Sequence, residues 1–174
     1  MSNPSTKSHE ENFVKFLHGL HEAKNRGPLA ALRRGLGKRP GTVPETYRYV
    51  VPFVGGLSKS DEDCFYLVAS LFASHPTANA QGNFGATMRQ VYDKQNNSES
   101  SERRFVALLN AHVEELPDRL RQAVALAKSN DASVDWSQLL KDLRHWTHES
   151  RYVQQNWARS FWGQPQKTKT ENAE

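Results

Sequence analysis

The run ALRRGLGKRPG, Ala31 to Gly41, sets two arginines, two glycines, a lysine and a third arginine ahead of a proline. Its Gly37-Lys38 pair suggests a phosphate-binding loop. A Walker loop needs a glycine five residues before that pair's glycine, and Ser or Thr after the lysine. Leu32 and Arg39 stand there instead, so the spacing excludes a nucleotide cradle. Part of the run has a local explanation. Arg33 and Arg34 fall in a last helical turn, where cations complement the helix dipole, and Gly35 or Gly37 can supply a left-handed cap. Lys38 and Arg39 lie beyond that helix, and nothing local accounts for their charge.

A second basic pair, Arg103 and Arg104, stands in ESSERRF. With Ser101 as N-cap, both arginines fall in the first turn, where a cation opposes the dipole. Free backbone N–H groups beside two guanidinium forks would bind a phosphate. Pairing with Glu99, Glu102 or a carboxylate of another helix is the alternative. Three further stripes are basic. Arg121, Ala125 and Lys128 align beside Arg119. Lys141, Arg144 and His148 share one face, and so do Arg151, Gln155 and Arg159. Each alone is an ordinary solvated face. Gathered on one side of a bundle, they would make a groove that tracks a nucleic-acid backbone. Tyr47 and Tyr49 flank Arg48, and are open either to stacking on bases or to burial.

No catalytic constellation accompanies these cations. His18/His21 and His145/His148 have a spacing that can place two metal ligands on one helix face, but a third ligand and an oriented second layer are missing. There is no nucleophile elbow and no paired-carboxylate signature. The expectation is a protein without enzymatic activity, bound metal or cofactor. A metal-dependent nuclease using His145 and His148 is the version of that question open to test.

The net charge of +4 is unevenly spread: residues 24–48 carry seven basic residues against Glu45 alone. Such a segment points to a polyanionic partner. The single cysteine, Cys64, excludes an intrachain disulfide and fits a reducing cytoplasm. The first dozen residues are polar, and the longest apolar-looking run, FYLVASLFA, is too short to span a bilayer. A soluble, cytoplasmic protein with no membrane partner is expected.

The elements that must position these side chains are helical by their apolar spacing. Phe13, Phe16, Leu17 and Leu20 form one stripe. Pro28 opens a helix with Leu29, Leu32 and Leu36. Pro44 opens a short one that stops before Pro52. Ser60 caps a central helix with Cys64, Leu67, Val68, Leu71 and Phe72. Phe84, Met88 and Val91 mark another. After the polar break from Asp93 to Ser101 come Phe105, Leu108 and Leu109. Leu116, Leu120, Ala123, Val124 and Ala127 form the next stripe, then Trp136, Leu139, Leu140, Leu143 and Trp146. Ser150 caps the last, with Val153, Trp157 and Phe161. The fold class is all-α, about eight to nine helices in two small packed bundles. The bundles are residues 1–95 and 96–163, followed by a disordered tail at 164–174.

Six segments in this order resemble the CasB family, the small subunit of the type I-E CRISPR effector complex Cascade. They are LAALRRGLG, NFGATMRQV, SERRFVALLN, LPDRLRQAVALAK, VDWSQLLKDLRHW and YVQQNWARSFW. The similarity runs from about Phe13 to Trp162. It implies a non-catalytic, all-helical subunit, present as two copies. Such a subunit lies along the complex's backbone and contacts other subunits, including the large one. It holds CRISPR RNA, target DNA and the displaced single strand on basic surface. Basic positions inside matching segments are Arg33, Arg34, Arg89, Arg103, Arg104, Arg119, Arg121, Lys141, Arg144 and Arg159. Lys38 and Arg39 rest on charge alone. Ser160 stands where the family often has an acidic residue. The competing expectation is a helical regulator that reads duplex DNA with a recognition helix.

Overall fold

A computed structural model describes residues 8–163; the expected tail at 164–174 lies outside them. Among the described residues there are nine α-helices and one 3-10 turn, with no strand. They are α1 (His9–Glu22), α2 (Arg26–Arg33), the turn Pro44–Thr46, α3 (Tyr47–Val54), α4 (Lys59–Ser74), α5 (Phe84–Lys94), α6 (Glu99–Leu109), α7 (Leu116–Ser129), α8 (Trp136–Arg144) and α9 (Tyr152–Trp162).

Local chemistry explains most boundaries. Ser8 closes a capping box with Glu11 at the start of α1. Asn25, Asn83 and Asp135 each accept a backbone N–H at the start of α2, α5 and α8. Four helix starts differ from expectation. α2 begins at Arg26 behind the Asn25 cap, so Pro28 is its third residue rather than its first. α4 is capped by Ser58, whose Oγ accepts from Asp61 N, rather than by Ser60. α6 starts after Ser98, and Ser101 is instead buried inside it, hydrogen-bonded to Gln95. α9 starts after Arg151, in the left-handed region at φ 52°, rather than after Ser150. α3 also runs through Pro52 to Val54. That proline lies on the exposed side, where solvent can satisfy the carbonyl its ring leaves without a donor.

α4 is the hub. It packs against α2, α3, α7 and α8, while α1 lies on α8, α6 on α7, and α5 on α6, α7 and α9. Its Phe65, Val68, Leu71 and Phe72 are almost wholly buried. One apolar core runs from Phe13 on α1 to Phe161 on α9 and crosses the turn between α5 and α6, where the bundle boundary was expected. Two glycines permit the closest approaches. Gly35 places the end of α2 against Ser70 of α4, and Gly85 places α5 against the backbone of Trp157 on α9.

Candidate nucleic-acid interface

α6 and α7 lie side by side, and their facing flanks enclose a groove of about 200 Å³ lined by Ser100, Arg103, Arg104, Ala107, Arg119, Gln122 and Ala123. Residues 100, 103, 104 and 107 fall on one flank of α6 by helical spacing, and Phe105 and Leu108 on the core side. All three arginines are exposed, and none makes an ion pair with a described residue. Because Ser98 is the cap, Arg103 and Arg104 belong to the second turn of α6. The expected partnership with first-turn N–H groups is therefore absent, and what unites them is the groove shared with Arg119.

Arg121 does not join that groove. Two residues along α7 turn a side chain by about 200°, so Arg119 and Arg121 leave opposite flanks of the helix. Arg121 lies at the loop after α2: a Cβ on Gly37 would be 3.9 Å from its Nε. Gly37 has φ +70°, in the left-handed region, with Lys38 and Arg39 exposed just beyond it. Arg33, Lys38 and Arg39 make no ion pair with a described residue, Arg34 pairs with Glu45 at 2.9 Å, and Arg121 pairs loosely with Asp118 at 3.5 Å. The candidates thus gather into two patches flanking α7: Arg103, Arg104 and Arg119 on one side, and Arg121 with the 33–39 segment on the other.

Lys141 and Arg144 are committed elsewhere. Lys141 Nζ donates to Glu11 at 2.7 Å; Arg144 donates through Nε to Asp61 at 3.0 Å and through Nη1 to Glu10. This network ties α8 to α1 and α4. Burial pushes the Glu10 carboxyl upward, but hydrogen bonds from the backbone and from Arg144 outweigh it and hold the group below its usual range. Arg144's hydrogen bond does the same for Asp61. Sequence reasoning missed these partners because they stand 83 to 134 residues away, with no local signal. The other stripes are likewise engaged. Lys128 donates to Ser74 O at the end of α4, Arg151 to Leu109 O, and Arg89 to Asp93 and Phe161 O. Cations over carbonyls that end helices need no external partner to account for them. Arg159 donates to Asn156 Oδ1.

The histidine pairs also have local roles. His18 packs edge-on against Phe72, and burial pushes it below its ordinary pKa. His145 and His148 pack beside Tyr152. Among the described residues, no three His, Cys, Asp or Glu side chains converge as a metal set. Burial raises the Cys64 thiol to about 12, which leaves it unreactive. No described helix is long and apolar enough to cross a membrane.

Residues 28–162 match the family described as CRISPR-associated protein Cse2. A curated Cse2 protein from Thermus thermophilus is 37% identical over 157 residues, spanning 88% of this chain and 89% of its own. The CasB crystal structure from M. ruber is 37% identical with a TM-score of 0.76, over 89% of this chain and 93% of that one. A chain of a CRISPR RNA-guided surveillance complex is 29% identical with a TM-score of 0.77, over 88% and 91%.

Proposed function

The chain belongs to the CRISPR-associated Cse2 family, and on that premise we propose that it is a non-catalytic, nucleic-acid-binding subunit of a CRISPR RNA-guided surveillance complex. It contacts the complex's other subunits and a second copy of itself. It steadies the pairing of guide RNA with target DNA and holds the displaced single strand. The observation that carries this reading is the α6–α7 groove, in which Arg103, Arg104 and Arg119 converge with no carboxylate among its lining residues. Unmatched guanidinium groups on one groove suit phosphates, because each contact releases condensed counterions and needs no base identity.

The mechanism is electrostatic clamping. Exchanging a DNA duplex for a guide–target hybrid is nearly balanced in free energy, so backbone contacts with the displaced strand can tip it; the same balance is described for Cas9-type effectors. A clamp of this kind is sequence-tolerant and salt-sensitive. The reading assigns no catalytic residue.

The test is single-strand binding by the variant carrying Arg103→Ala, Arg104→Ala and Arg119→Ala, at several salt concentrations. Each lost phosphate contact lowers the logarithmic salt slope by about 0.7, so the triple variant should lose about 2. All three side chains are exposed, so the fold should survive. An unchanged slope in a folded variant refutes the groove. Selection of one preferred duplex sequence would favour the duplex-reading regulator instead.

A further inference from the structure

We propose that Tyr47 is a base-stacking platform beside the Lys38–Arg39 loop; this rests on the nucleic-acid reading above and extends it to a surface that holds a base as well as phosphates. Tyr47 opens α3 and is 38% exposed, large for an aromatic side chain in a core-forming helix. It is nevertheless fixed in place. Its hydroxyl donates to Gly41 O at 3.0 Å, and its ring meets Tyr66 edge-on with centroids 6.0 Å apart. Tyr66 is buried, so it anchors one side of the exposed ring to the core.

The loop that receives the hydroxyl is itself constrained. Gly41 has φ +73°, and a Cβ there would lie 3.1 Å from Lys59 Nζ and 3.4 Å from the Tyr66 ring. Thr42 donates through both its backbone N–H and its Oγ1 to Arg39 O. Lys59 is held by Asp63 at 2.5 Å, whereas Lys38 and Arg39 have no carboxylate partner among the described residues. One turn further along α3, Val51 is 54% exposed and prolongs the apolar surface. A preset ring, an aliphatic shoulder and two unmatched cations on one short loop fit one nucleotide unit. The base lies on Tyr47 and Val51, and the neighbouring phosphates meet Lys38 and Arg39. Stacking of this kind is sequence-tolerant, since every base has a π-face.

The experiment compares Tyr47→Ala, Tyr47→Phe and Tyr47→Trp in the full chain. The probes are a single-stranded oligodeoxynucleotide, the ribo-oligonucleotide of the same sequence, and an abasic strand of equal length. Loss of one stacked base should weaken binding of a base-bearing strand about 5- to 150-fold in Tyr47→Ala. The salt slope should stay unchanged, because no phosphate contact is lost. Tyr47→Phe keeps the ring and should bind nearly as the wild type does, Tyr47→Trp should bind at least as tightly, and the abasic strand should not distinguish the variants. Whichever backbone chemistry shows the larger Tyr47→Ala effect identifies the strand. Equal losses on abasic and base-bearing strands, or none, overturn the proposal. If Tyr47→Ala is unfolded, a loss of affinity in folded Tyr47→Trp does so. An unchanged slope in the Arg103, Arg104 and Arg119 variant would sink the groove reading instead, so the two failures are distinct.

Discussion

Replacing Gly85 with alanine should destabilise the protein, although alanine is the better helix former. Gly85 sits in the first turn of α5, where α5 crosses α9. A Cβ there would lie 2.7 Å from both the Cα and the carbonyl carbon of Trp157, and closer still to its oxygen. Carbon atoms pack at about 3.5–4.0 Å, so the two backbones must separate by about 1 Å. The obstacle is main chain and cannot rotate away. Around the crossing, Phe84 packs on Trp157 with centroids 5.4 Å apart, Tyr92 on Phe161 at 5.2 Å, and Met88 and Phe161 are fully buried. Overpacking against main chain that cannot yield lies in the upper part of its usual range, about 2–3 kcal/mol, and about 1 kcal/mol of gained helix propensity leaves a net loss of about 1–2 kcal/mol. In a chain of this size each net kcal/mol lowers Tm by about 2–4 °C. The expected fall is therefore about 2–8 °C by thermal unfolding, with a lower urea midpoint and an unchanged m-value. Gly19 supplies the control. It is exposed inside α1, nothing lies within 4 Å of its would-be Cβ, and Gly19→Ala should raise stability by about 0.5–1 kcal/mol. A Gly85→Ala protein as stable as wild type would refute the close approach of α5 to α9.

Arg144→Met should lower stability by about 1–3 kcal/mol, since it strands the Glu10 and Asp61 carboxylates. Both groups sit below their usual pKa when folded, so their contribution is present above about pH 4.5 and lost as pH falls through the folded values. The variant should accordingly show a flatter acid limb in pH-dependent denaturation. Asp142 has the opposite sign: burial raises its pKa despite hydrogen bonds from Trp157 Nε1 at 2.7 Å and Gln138 Nε2 at 2.9 Å. Its folded form binds the proton more tightly, so it favours folding as pH falls. Asp142→Asn should leave stability near pH 7 equal or higher and remove that gain, as urea midpoints between pH 4 and 7 would show. Gly37→Ala should cost about 1 kcal/mol or more from its φ of +70° alone, with no loss of helical circular dichroism.

The apolar spacing located the core with little ambiguity. Every residue expected to face inward on α7 and α8 is buried, and so is Trp146 just past the end of α8. A 3.6-residue repeat is a local property, and burial follows it wherever a helix has one face against its neighbours. Helix starts were less legible because competent caps stand close together. Ser58 competes with Ser60, while α6 begins after Ser98 rather than Ser101, although the Ser98 side chain makes no capping bond; both choices depend on where the preceding turn delivers the chain, which is a tertiary matter. That three-residue difference moved Arg103 and Arg104 out of the first turn. Lys141 and Arg144 looked like a polar stripe because their spacing is that of one. Their carboxylates come from α1 and α4, and no window along the chain contains both members of a pair.

Counting basic residues and locating a polyanion site are therefore different operations. The salt dependence of binding records counterions released from phosphates, and a guanidinium already matched by a buried carboxylate has little charge left to displace them. Arg144, enclosed between Glu10 and Asp61, can contribute almost nothing to that slope wherever a strand runs. Exposed pairs behave otherwise. Arg34 with Glu45 and Arg121 with Asp118 are solvated, and such pairs are worth little, so a phosphate can compete for either cation. The unmatched candidates are Arg33, Lys38, Arg39, Arg103, Arg104 and Arg119, which at about 0.7 each bound the single-strand slope near 4; recruiting Arg34 and Arg121 raises it to about 6. Since Arg119 and Arg121 leave opposite flanks of α7, the upper figure requires a strand long enough to cross that helix, about 10–12 Å wide with its side chains. Slope against oligonucleotide length is then a measure of geometry: a short strand held by one flank cannot release the counterions of the other.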